Sequence, residues 1–185
     1  LPGHSLGLFS LRTPPMMARQ QERDALWTAL RAVATEGRAR CLVLRGPSGT
    51  GKSRLAAWLC ERAEELSGAT ILRAIHASGA GQGCGLSPML ARTLRCAGME
   101  RADMLARLTR LAARTGVVDT DEVPALAELL QPATDADIAA GARIVRFHEP
   151  RERHVLVARV LAKIDAGPAG IDGPRLTVVW LDDVQ

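Results

Sequence analysis

Lysine is nearly absent from this chain: of its 24 basic residues only Lys52 and Lys163 are lysines, and the other 22 are arginines. Aromatic residues are scarce too, at 3% of 185, which removes the stacking platforms that single-strand nucleic-acid binders rely on. The net charge of +4 comes from arginines scattered along the chain, so no direct nucleic-acid binding is expected of this segment. Cys41, Cys60, Cys84 and Cys96 show no C-x-x-C spacing, and two of them fall on expected core elements. That argues against a zinc site or disulfide framework and for free thiols in a reducing cytoplasm. No apolar run approaches the roughly 20 residues of a membrane helix. Leu1-Pro2-Gly3-His4 lacks the charged region of a signal peptide. A soluble cytoplasmic chain without a membrane partner is the expectation.

Against that background one lysine stands in a recognisable frame. Gly46-Pro47-Ser48-Gly49-Thr50-Gly51-Lys52-Ser53 fits G-x-x-x-x-G-K-[ST], the loop that cradles nucleotide phosphates, and it follows the apolar stretch Cys41-Leu42-Val43-Leu44, which predicts a buried strand over 41–45. The loop needs a compact ammonium on a flexible stem to reach between the outer phosphates, a task a planar guanidinium performs poorly. A chain that otherwise uses arginine places its lysine there. The spacing therefore predicts binding of a nucleoside triphosphate through Gly46, Pro47, Ser48, Gly49, Thr50, Gly51, Lys52 and Ser53, with Arg54 beside them. The start of the following helix adds its dipole to the cradle.

At 47% hydrophobic the chain suffices for one sizeable core. Residues 1–15, with Pro14-Pro15, read as a linker or lead-in, and 16–185 as the N-terminal part of one nucleotide-binding domain. The chain starts without Met and stops at Gln185 just after an acidic pair, as an excised piece would. Apolar Leu26, Trp27, Leu30 and Val33 recur at helical spacing over 20–35, closed by Gly37. A helix over 51–66 and a strand over 70–75 follow. Ser78-Gly79-Ala80-Gly81-Gln82-Gly83-Cys84-Gly85 lacks the G-x-G-x-x-G register and reads as a loop. Helices are predicted over 88–97 (Ser87 as N-cap, Pro88 at the first position), 101–114, 121–130, 135–147 and 150–165. In the second of these, Arg107, Arg110 and Arg114 share a face that reads as solvated. Leu176-Thr177-Val178-Val179-Trp180-Leu181 reads as a central parallel strand.

That last strand ends in Asp182-Asp183, the apolar-then-acidic pattern of a Walker B motif. Magnesium held opposite Ser53 needs a carboxylate at the tip of a buried strand, and Asp182 fits. Asp183 is placed to orient or deprotonate the attacking water, while Lys52 and the loop amides neutralise phosphate charge. Two other patterns carry less. His148-Glu149-Pro150-Arg151-Glu152-Arg153-His154 puts Glu152 where a zincin needs its second histidine. Ala162-Lys163-Ile164-Asp165 is one residue from a guanine-recognition signature but precedes the acidic strand, and reads as an exposed helix end.

Arg19-Gln20-Gln21-Glu22-Arg23, the loop at 46–53 and the strand-plus-acids at 176–185 together resemble the ATPase module of AAA+/STAND regulators, over about residues 14–185. The resemblance implies an α/β P-loop NTPase of the ASCE type: an AAA+-like parallel sheet flanked by helices, truncated C-terminally, with a long helical insert before the Walker B strand. It implies a sheet of order 5-1-4-3-2, with the fourth strand beyond Gln185. ATP and Mg²⁺ are the implied cofactors. Such modules occur in large bacterial signalling proteins, fused to Ser/Thr protein kinase or DNA-binding output domains, and self-association on ATP binding is among the implications. A Gly-Arg-Glu segment lines the adenine side in that group; here Ala18-Arg19-Gln20 leaves Arg19 as the matching residue. Asp183, shorter by a methylene than the glutamate of AAA+ motors, fits a slow switch. Residues 1–185 alone are expected to bind nucleotide weakly and to hydrolyse almost none.

Three functions remain in view: a regulatory ATPase switch, a small-molecule phosphotransferase, and a nucleotide-binding scaffold in which Asp183 merely caps its strand. Phosphate release from ATP alone separates the first two, and Asp183→Asn separates the first from the third.

Overall fold

The computed structural model describes residues 16–76, 85–114, 121–165 and 176–182. The lead-in over 1–15, the glycine-alternating stretch up to Cys84, and Asp183 lie outside the described residues. The chain divides into two compact units, Leu1–Leu66 and Ser67–Gln185.

In the first unit α1 (Gln20–Glu36) buries Leu26 and Leu30, one turn apart, and ends on Gly37, whose amide donates to the Val33 carbonyl at 3.0 Å. α2 (Lys52–Ser67) buries Leu55, Leu59, Cys60 and Ala63, again a helical stripe. The two helices are joined where the Arg23 guanidinium lies 4.6 Å from the centre of the Trp58 ring. The strand predicted over 41–45 is not formed: no ladder pairs with it among the described residues, and Leu42 and Val43 remain 48% and 67% exposed. A strand is completed by hydrogen bonds to a neighbour, which an apolar sequence cannot supply by itself.

The second unit is built on a parallel pair, β1 (Thr70–Ile75) and β2 (Thr177–Asp182), in register from Thr70 opposite Thr177 to Ile75 opposite Asp182. These are the second and third strands of the expected order, and they are neighbours, as that order requires. One face of β1 buries Leu72 and Ala74 in a core filled by α3 (Leu86–Thr93), α4 (Arg101–Arg114), α5 (Glu122–Leu130) and α7 (Pro150–Asp165). Met89, Leu90 and Met104 are at most 2% exposed, and burial of each stabilises the fold by about 2 kcal/mol. β2 is less enclosed than a central strand: Val179 and Leu181 are exposed, because among the described residues only β1 pairs with it.

Three helix boundaries depart from the sequence reading by two residues or more, one of them the end of α3, at Thr93 where 97 was expected. α3 starts at Leu86 with Gly85 as its N-cap, so Pro88 occupies the third helical position, where its missing N–H still lacks an intrahelical partner. The helix predicted over 135–147 stops early, as α6 (Asp135–Ala139). Gly141, at φ 80°, turns the chain: its amide donates to the Ile138 carbonyl and that of Ala142 to the Asp137 carbonyl, both at 3.0 Å, which closes the helix in a Schellman motif.

Candidate phosphate-binding site

The loop at 46–53 is shaped by its own backbone and by its lysine. Gly49 and Gly51 take φ of 78° and 80°, a region costly for residues with a Cβ, and α2 starts immediately after them. The Thr50 hydroxyl donates to the Pro47 carbonyl at 2.8 Å. The Lys52 ammonium donates to the carbonyls of Gly46 and Pro47, both at 2.8 Å, spanning the loop from its last residues to its first. Those two acceptors take two of the ammonium's three protons. A phosphate oxygen is a stronger, charged acceptor for the same group.

Arg19 meets this loop from a distance of 31 residues: its guanidinium donates to the Thr50 carbonyl. Ala18 and Arg19 both take left-handed backbone, φ 62° and 57°, immediately before α1. Two such residues in succession cost about 1 kcal/mol or more each, and the Arg19 bond to the loop is what the turn provides in exchange. Arg54 points along its own helix, with its guanidinium on Glu61 at 3.1 Å.

Asp182 belongs to the second unit and ends β2. Its side chain is 14% exposed, and its Oδ2 accepts from Arg73 Nη2 at 2.9 Å. A shielded carboxylate at a strand tip is the hard oxygen donor that magnesium prefers, and the hydroxyl of Ser53, in the first turn of α2, is another. Each of the two, taken by itself, is an oxygen ligand of the kind the ion takes. Sequence reasoning missed Arg73; the signal was a lone arginine inside the otherwise apolar Thr70–Ile75 strand.

The remaining candidates are structural. Lys163 is no exposed helix end: its ammonium pairs with Glu122, whose side chain is 9% exposed. Glu152 accepts from the His148 amide at 2.9 Å at the start of α7, and no group of metal-ligating side chains is present among the described residues. A cleft of about 350 Å³ between α5, residues 145–149 and α7 is rimmed by Asp121, Glu122 and Glu152, each already engaged, by Arg143, by Lys163 and by that amide. Of the described cysteines, Cys41 is exposed while Cys60 and Cys96 are buried, and none of the three is in a disulfide. No described helix is long and apolar enough to cross a membrane.

A glycine-rich turn that feeds a helix through a lysine, within a chain that also carries a parallel α/β pair ending in an acid, defines a P-loop nucleotide-binding protein. Over residues 15–185 the sequence matches the AAA ATPase domain family, and the chain belongs to it. No curated protein and no solved structure matches the chain.

Proposed function

We propose that this chain is the ATP-holding part of a regulatory switch, in which bound ATP maintains one arrangement and slow hydrolysis to ADP and phosphate releases it. The observation that supports it most is the Lys52 ammonium held across the Gly46 and Pro47 carbonyls at the head of α2, a cation poised at the loop with acceptors it can exchange for phosphate oxygens. Lys52 and the amides of residues 49–53 bind and neutralise the phosphates, aided by the helix dipole. Ser53 and Asp182 would hold magnesium, which when bound offsets the charge of the outer phosphates. Asp183 orients the attacking water and accepts its proton. Arg19 fixes the loop through Thr50. The signalling context, with fused kinase or DNA-binding output domains and a cytoplasmic location, rests on the AAA+/STAND resemblance of the motifs.

The test is direct. Lys52→Ala is expected to abolish binding of a fluorescent ATP analogue, whereas Asp183→Asn should leave binding intact and stop phosphate release in the full-length protein. Nucleotide binding at wild-type affinity by the Lys52 variant would remove the proposal.

A further inference from the structure

Parallel register sets Arg73 opposite Trp180 and Ile75 opposite Asp182. Side chains alternate along a strand, so Arg73, Trp180 and Asp182 share one face of the pair. There the Arg73 guanidinium carbon lies 3.9 Å from the centre of the Trp180 ring, and Nη2 donates to Asp182 Oδ2 at 2.9 Å. The Arg73 carbonyl in turn accepts from Arg92 Nη2 at 3.3 Å, which ties this part of β1 to α3. An ordinary surface ion pair is loose because both side chains must be ordered to make it. Here the ring supports the guanidinium plane and the acid is largely shielded from water, so the geometry is set by more than the charges.

From this we infer that Arg73 is a positioning residue for Asp182 that competes with magnesium for its carboxylate. The inference rests on the reading of Asp182 as the metal-side acid. With Oδ2 on a guanidinium, one carboxylate oxygen already has a cationic partner. A divalent cation must either displace that guanidinium or sit beside a positive charge. Arg73 therefore raises the magnesium concentration at which the nucleotide-bound arrangement forms, and it does so from the strand beside the acid rather than from the phosphate loop. Arginine suits the task because a planar guanidinium can stack and pair at once, which an ammonium cannot.

The experiment is a magnesium titration of fluorescent ATP-analogue binding to the full chain, with a parallel measurement in chelator. Arg73→Gln should lower the midpoint magnesium concentration by roughly fivefold, the factor expected of an ion pair near the strong end of the partly exposed range. Binding in chelator should not change. Trp180→Leu, which keeps both charges and removes the stacking platform, should shift the midpoint in the same direction by less. An unchanged or raised midpoint in Arg73→Gln overturns the inference, as does equal weakening with and without magnesium, which would mark a purely structural role. Asp182→Asn separates this from the reading beneath it. If that variant keeps the wild-type magnesium dependence, Asp182 is not the metal-side acid and both fall; if it loses the dependence while Arg73→Gln behaves as wild type, only the role of Arg73 falls.

Discussion

A guanidinium and an ammonium do different work in this chain. Lys52 reaches two carbonyls at the phosphate loop, and Lys163 pairs with Glu122 inside the second unit. Lys163 is a third exposed while Glu122 is nearly enclosed, so loss of the lysine leaves a shielded carboxylate without its partner. Lys163→Met is expected to lower stability by about 2 kcal/mol, less than the cost of breaking a fully buried pair, and urea unfolding measures it. Asp137 supplies the pH-dependent case. The Thr134 hydroxyl, then the Thr134 amide, donates to its carboxylate and holds its pKa below the ordinary 3.8. With the folded pKa depressed, the stability this contact contributes is present above 3.8 and is lost as pH falls through the folded value. A carboxyl NMR titration should show the low midpoint, and Thr134→Ala should return it toward 3.8; no movement would place the cause elsewhere.

At the scale of elements, α4 is anchored by arginines laid against the C-terminal ends of its neighbours. Arg107 Nε donates to the Leu94 carbonyl at 2.7 Å, where α3 ends, so this arginine of the face read as solvated has a structural partner. Arg101 donates to the Gln131 carbonyl, where α5 ends, and pairs with Glu128 at 3.0 Å. Cations at helix C-termini complement the unsatisfied carbonyls and the dipole. Arg101 is 6% exposed and shares a buried stripe with Met104 and Leu108, so its removal takes the cation from Glu128, which keeps only the Ala133 amide as donor, and the guanidinium donor from the Gln131 carbonyl. Arg101→Ala is expected to cost about 3 kcal/mol in chemical denaturation. A loss under about 1 kcal/mol would show that water replaces the guanidinium. The helices themselves were legible in the sequence, since apolar residues at helical spacing mark an element from within. α6 was overextended because the Ala140-Gly141 stop reads as a tolerated glycine until its two closing bonds are seen. The segment 41–45 misled for the opposite reason, since apolar composition alone does not make a strand. Neither Arg19 on Thr50 nor Arg73 on Asp182 could be read from local pattern, with partners 31 and 109 residues away.

For the whole molecule, the loop with Lys52 lies in one compact unit and Asp182 in the other, so whether both answer to one nucleotide is a thermodynamic question. Any ligand that binds only the folded state raises its stability, by about 2.7 kcal/mol at a hundredfold excess over Kd. In a chain of this size that corresponds to a rise in Tm of roughly 5–10 °C. ATP with magnesium is expected to produce such a shift in the full chain, and Lys52→Ala to produce none. Asp182→Asn carries the sharper information: it should keep the part of the shift seen with ATP in chelator and lose the part added by magnesium. Were the two units to melt independently, with nucleotide moving only the transition that contains α2, Asp182→Asn would respond to magnesium as wild type does. The acid at the end of β2 would then have no share in nucleotide binding, and the match of its Asp-Asp pair to a Walker B motif would reflect no more than an acidic strand end.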